Sequence, residues 1–237
     1  MMQRATLTII TLLFCKTFLF GQQKSYSETK THLFWHADRS LQYSDFKGSG
    51  SRFTKHNQYC KDYNWCAMAF LGIYAQLDIP KNEKNRGKML EIAYFVPVFD
   101  KTASYILKKD SAGVKQQQII YDIYELSARF ARKKLQQYRD SLTGYGSATL
   151  LFKTVEMDAT EYRNEMITDY TQALYLYKLE GAYRYWREKI DTILKQTERF
   201  ATTNDDRKRA MTQKPLSKKY EPSKKFIGDI HSENRAF

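Results

Sequence analysis

The chain reads as an α+β protein in which a small antiparallel sheet, formed by the N-terminal half, packs against two long helices from the C-terminal half. Two periodic regions carry this reading. Between Trp65 and Phe99 apolar residues fall on alternate positions, as in a strand with one buried face; from Ala112 onward they form a stripe three and four residues apart, as in an amphipathic helix. The third observation is bulk: 237 residues, 42% hydrophobic, with 18 Tyr and 14 Phe against 10 Gly and 4 Pro, suit one large core. They exclude a mostly disordered, collagen-like or short loop-rich chain.

The first 21 residues have the order of a secretory signal peptide: Arg4, the apolar run Ala5–Phe20, then Gly21, after which cleavage is expected. Lys16 interrupts the run, which is shorter than the roughly 20 residues that span a bilayer, so no stable transmembrane anchor is expected. Acylation at Cys15 is the alternative, disfavoured by Phe14 where a small residue is wanted. Cleavage removes Arg4 and Lys16, taking the formal charge from +13 to +11 and leaving a strongly basic chain for a secreted or periplasmic location.

A single domain is expected over residues 22–200. His32–Phe46 is short and aromatic, a strand followed by a turn that ends in Gly48. Cys60 and Cys66 either form a disulfide, which requires a turn at Lys61–Asn64, or are two buried small hydrophobes. Trp65–Ile79 is a strand, with Gln76 and Asp78 marking its outer face. The polar turn Pro80–Gly87 leads to a second strand, Lys88–Phe99, where Pro97 predicts an edge or a bulge.

The stripe Gln116, Ile120, Ile123, Ser127, Phe130 and Lys134 predicts a helix from about Ala112 to Tyr138, broken by Asp140–Ser147. Asp158 and Glu161 have the spacing of a capping box and predict a second helix from Asp158 to about Phe200, kinked near Gly181. Residues 201–237 lose the pattern and hold nine basic and five acidic side chains, which predicts a disordered basic tail.

Catalytic signatures are sparse. His32 and His36 are four apart, but in an extended segment this puts them about 13 Å apart, too far to share a metal. His56 and His231 stand alone in sequence, and phosphate loops and Gly-x-Ser-x-Gly elbows are absent. Asp122 and Glu125, one turn apart, have the form of an acid/base couple, but Arg129 and Arg132 one turn further on make intrahelical ion pairing the expected role. Tyr175, Tyr177, Tyr183 and Tyr185 are expected at core edges.

The segment Trp35–Gly48 resembles the opening signature of a bacterial family of unknown function described as predicted secreted zinc-dependent proteases. Trp35, Arg39, Leu41, Asp45, Phe46 and Gly48 match that signature, and Tyr43 replaces a tryptophan. Phe99, Ser104 and Tyr105 resemble a second motif, a Phe followed by Ser-Trp, and the likeness runs from about Leu33 to Leu194. It implies a zincin-like fold with the metal on the first long helix, in a motif resembling His-Glu-Gln-x-His-Phe-Asp-Ile-x-Glu followed by Ala-Arg. Gln118, Asp122, Ile123, Glu125, Ala128 and Arg129 keep that motif, while Gln116 and Ile120 stand at the two histidine positions and Gln117 at the glutamate. In the family's later motif Thr171 is kept and Ala173 stands at the histidine. An amide lacks the imidazole lone pair and cannot take a proton from metal-bound water, and isoleucine has no ligand atom. The resemblance therefore implies a non-catalytic member with no catalytic, metal or cofactor residues, binding an envelope protein or cell-wall material. The alternative is a secreted zinc-dependent hydrolase with ligands relocated to His32, His36, His56, Asp122 or Glu125. A tyrosine-rich basic nucleic-acid binder is a third class, against which the signal peptide argues; no nucleic-acid partner is expected.

Overall fold

A computed structural model describes residues 27–50, 54–108, 111–142 and 146–227; the expected signal peptide, Cys15 and His231 lie outside the described residues. The alternating run becomes β2 (Ala67–Pro80), paired antiparallel with β3 (Ile92–Ile106) from Ala67 opposite Ile106 to Asp78 opposite Ile92. β1 (His32–Phe34) lies along the other side of β3, and β4 (Tyr220–Ile227) pairs with the end of β2, giving the order β1-β3-β2-β4, antiparallel throughout. Pro97 falls within an inner strand. Its carbonyl accepts the Trp35 N–H at 3.0 Å just beyond the last β1 pair, Phe34 opposite Val98, so its missing N–H faces the side where β1 has run out.

Five α-helices are described: α1 (Thr54–Tyr63), α2 (Ser111–Leu142), α3 (Ser147–Thr171), α4 (Ala182–Gln196) and α5 (Asn204–Thr212). Leu33, Leu71 and Phe99 on one sheet face meet Ile119, Ile120 and Ile123 of α2, joined by Met166, Tyr170, Trp186 and Ile190. A second cluster sets Ala75, Leu77 and Phe95 against Ala128, Ala131 and Leu135 of α2 and Phe152, Val155 and Ala159 of α3. Among the described residues no helix is long and apolar enough to cross a membrane.

Two expectations about the helices change. α3 starts at Ser147, behind Gly146 at φ +91°, a left-handed turn that glycine adopts without a Cβ penalty. Asp158 is therefore mid-helix, where it accepts from Lys134 Nζ at 2.5 Å instead of capping. The helix expected to run to Phe200 is three pieces: α3, a π-helical turn at Gln172–Leu176, and α4 beyond Gly181 at φ +73°.

The expectation of a disordered tail is corrected over Ala201–Ile227. α5 packs Ala210 and Met211 against Phe34, Tyr74, Val96 and Val98, covering the second face of the sheet. Its first turn is capped reciprocally: the Thr203 hydroxyl accepts the Asp206 N–H at 3.1 Å, and the Asp206 carboxylate accepts the Thr203 N–H at 2.8 Å. Gln76 and Asp78, expected on the outer face of β2, are thereby buried. Arg209, wholly buried, donates to both Asp78 oxygens at 2.8 and 2.7 Å and to the Tyr74 hydroxyl at 2.8 Å. α5 thus adds a buried ion pair to a short apolar contact, with no repeating apolar stripe for periodicity to report.

The Trp35–Gly48 segment ties the sheet to α2. Trp35 donates its indole N–H to Asp122 at 2.9 Å, Arg39 donates to Asp45 at 2.7 Å, Leu41 is buried, and Phe46 packs edge-on to Phe99. A Cβ on Gly48 would stand 2.7–2.8 Å from the carbonyls of Thr102, Ala103 and Ser104, so only glycine fits.

Candidate functional site on the long helix

Positions 116, 117 and 120 lie in the first three turns of α2, facing the start of β2 and the end of α3. The Gln116 side-chain oxygen accepts the Tyr175 hydroxyl at 3.0 Å, and its backbone carbonyl accepts the Tyr170 hydroxyl at 3.2 Å. Gln117, 1% exposed, accepts the Ala69 N–H at 3.0 Å through its side-chain oxygen, while its amide nitrogen finds no hydrogen-bond partner. Ile120 is buried in the main core, and Ala173 packs against the same cluster. Of the three positions at which the resemblance puts histidines, Gln116 therefore meets Tyr170 and Tyr175, while Ile120 and Ala173 belong to the main core.

Beside them opens a slot of about 170 Å³ lined by Tyr59, Tyr63, Trp65, Thr171, Gln172, Tyr175 and Leu176. Trp65 stacks on Tyr175 with ring centres 4.8 Å apart and planes 6° apart, and Tyr59 lies nearly parallel to Trp65 at 6.4 Å. Tyr175 is buried, whereas Tyr59, Tyr63 and Leu176 are exposed at 45%, 37% and 54%. Tyr177 and Leu179, also exposed, follow in the same chain segment. The slot wall from α3 is the π-helical turn, a local widening of helix geometry that often accompanies functional sites. Burial pushes the Tyr170 hydroxyl far above its ordinary range, so it stays a neutral donor to Gln116.

The ionisable residues named in the sequence are elsewhere and occupied. Glu125, wholly buried, accepts from Arg129 at 2.7 Å, Arg132 at 3.3 Å, the Thr202 N–H at 2.9 Å and the Thr202 hydroxyl at 2.6 Å. The expected intrahelical pairing holds for Glu125. Asp122 instead crosses to α4, accepting from Arg187 at 2.6 Å, with Trp35 and Gln118 on its other oxygen at 2.9 and 2.8 Å. Burial raises the Asp122 pKa against the pull of Arg187. Asp122, Arg129 and Arg187 line a wider cleft of about 840 Å³ together with Trp35, His36, Tyr183 and Lys195, whereas Glu125 does not reach it.

Of the histidines, His32 contacts the Thr31 hydroxyl at 2.8 Å, and His36 accepts the Asp38 N–H at 3.1 Å. His56 is buried edge-on to Tyr105 and Trp65, at 5.2 and 6.3 Å between ring centres, and neither ring nitrogen reaches a partner in hydrogen-bonding geometry. Burial lowers its pKa, opposed only by the neighbouring Trp65 backbone. Among the described residues no three His, Cys, Asp or Glu side chains gather as a metal centre requires, so the relocated ligands do not assemble there.

Cys60 and Cys66 are joined in a disulfide, with Cα atoms 4.4 Å apart across a turn. The slot itself was not read from the sequence. Its one local signal is the spacing of Tyr59, Tyr63 and Trp65, because the rest of the lining comes from residues more than a hundred positions away. Tyr175 lies in the slot wall, while Tyr177 and Tyr185, expected at core edges, are exposed at 61% and 60%. No family model, no curated protein and no solved structure matches the chain.

Proposed function

We propose that this chain is a non-catalytic, secreted or periplasmic protease-like domain, a metal-site-lacking relative of the predicted zinc-dependent protease family it resembles. It binds an envelope partner by taking an apolar or aromatic side chain into the slot beside Gln116. The observation that carries the reading is the place of Gln116 beside that slot: where the resemblance puts a nitrogen ligand stands an amide bonded to Tyr175 of the slot wall, and Ile120 and Ala173, at the other two such positions, carry no ligand atom. The kept motif residues support it, because Trp35, Arg39, Leu41, Asp45, Phe46 and Gly48 all act in packing and hydrogen bonding. A volume near 170 Å³ compares with the roughly 150 Å³ of an engineered apolar cavity that admits benzene.

The test is titration of the purified chain with p-cresol as an aromatic probe, followed by NMR. Saturable shifts in slot residues are expected, weakened about tenfold, or ~1.4 kcal/mol, by Leu176→Glu. Leu176 is exposed, so this substitution leaves the fold intact. Binding that ignores Leu176→Glu and Tyr59→Ser, or no binding at all, would remove the slot from the proposal.

A further inference from the structure

The Cys60–Cys66 bridge closes a short turn whose residues line the slot, and its position gives it a role that a staple elsewhere in the core would not have. Cys60 is in the last turns of α1, while Cys66 immediately precedes β2, the strand that anchors the site. The five residues between them include Tyr63 and Trp65, which line the slot, and Tyr59 directly precedes the bridge. Within this turn Asn64 is at φ +57°, the left-handed conformation that asparagine adopts more readily than other residues with a Cβ. Apart from the bridge, Trp65 is held by a long backbone hydrogen bond, its N–H to the Tyr59 carbonyl at 3.4 Å, and by its ring contacts. On the opposite wall Lys178, itself at φ +49°, reaches the Asp62 carbonyl inside the bridged turn at 3.3 Å. One covalent bond therefore fixes the wall that carries three of the slot's aromatic rings.

We propose that the Cys60–Cys66 disulfide is a redox latch for the aromatic slot: closed, it holds Trp65 against Tyr175; reduced, it lets the bridged turn relax and the stack come apart. Cys60 is partly exposed and Cys66 is 3% exposed, so a reductant reaches the Cys60 sulfur first. A thiolate of a dithiol attacks Cys60 Sγ, the S–S bond breaks, and Cys66 leaves with the electron pair and takes up a proton. The dithiol's second sulfur then displaces Cys60, which is protonated in turn, and the dithiol ends as a cyclic disulfide. Two electrons and two protons pass from the dithiol to the protein.

That the latch controls binding rests on the proposed function; that it controls Trp65 does not, and the experiment separates the two. Near-UV circular dichroism of the full chain is recorded oxidised, after dithiothreitol, and in the Cys60→Ser/Cys66→Ser variant, with Trp65→Phe identifying the Trp65 band. Far-UV spectra and p-cresol titrations run in parallel. The expected result is loss of the Trp65 band and at least about tenfold weaker p-cresol binding on reduction, reproduced by the double variant without reductant, with far-UV spectra unchanged. Retention of the Trp65 band after verified reduction would overturn the latch. Loss of far-UV signal would also overturn it, by making the bridge a staple of the whole domain. Loss of the band with no p-cresol binding in either redox state would uphold the latch and overturn the binding reading.

Discussion

Along α2, the first turns carrying Gln116, Gln117 and Ile120 can be set against the turns carrying Asp122, Glu125, Arg129 and Arg132. The later group is charged, buried except for the part-buried Arg132, and fully hydrogen-bonded at its centre, with Glu125 alone accepting four hydrogen bonds. The earlier group is neutral, uses amides where chemistry would need an imidazole or a carboxylate, and adjoins an open aromatic slot. Groups able to move protons or hold a metal are therefore spent on joining α2 to α4 and to the Thr202 segment. The wider cleft beside the later group is lined by the ion-paired Asp122, Arg129 and Arg187, whereas the slot beside the earlier group offers rings and an amide, the lining on which the binding proposed above relies.

The largest effect expected from breaking this contrast is at Glu125. Glu125→Ala leaves Arg129 and the Thr202 N–H buried without their acceptor and should destabilise the fold by about 3–5 kcal/mol in urea denaturation. A loss below about 1 kcal/mol, the scale of an exposed ion pair, would show that the network is not the structural element described. Next comes Gln117→Leu, which orphans the Ala69 N–H on β2 and should cost about 1–3 kcal/mol, read the same way. Smaller again is Tyr175→Phe, which removes one hydrogen bond to Gln116 and should cost about 0.5–1.5 kcal/mol while sparing the Trp65 stack.

The smallest effect is a pH slope from His56. Burial lowers its pKa in the folded state below the ordinary 6.5, so at pH above 6.5 it is neutral folded or unfolded and contributes no slope. As pH falls through 6.5 the unfolded chain takes up the proton first, and stability falls until the lowered folded value is passed. Comparing His56→Leu with the parent chain by thermal melts between about pH 7 and 5 isolates this term, since the variant should lack that part of the slope. An identical slope in both would show that His56 titrates normally.

β2, β3 and α2 were legible because their apolar residues recur at a regular period, and the break at Gly181 because a glycine interrupts such a run. The start of α3 was not, although Ala148, Phe152, Val155 and Ala159 stand at helical spacing, because Asp158 and Glu161 imitate a cap and drew the boundary inward. α5 and β4 were hidden for a different reason. α5 is anchored by Arg209 against Asp78, a charged pair buried across 131 positions that leaves no apolar period, and β4 is held by its pairing with the end of β2. At the site, the neutral residues of α2 were visible through the resemblance alone. The slot beside them was not, since residues 59–65 and 171–176 share a surface only after the sheet brings α1 over the end of α3.

The claim that this helix face binds without metal is tested most directly by the zinc content of residues 22–237 after incubation with excess zinc and gel filtration. The account predicts that no zinc is retained. One zinc per chain, lost when His32, His36 or His56 is replaced, would contradict it and restore the hydrolase.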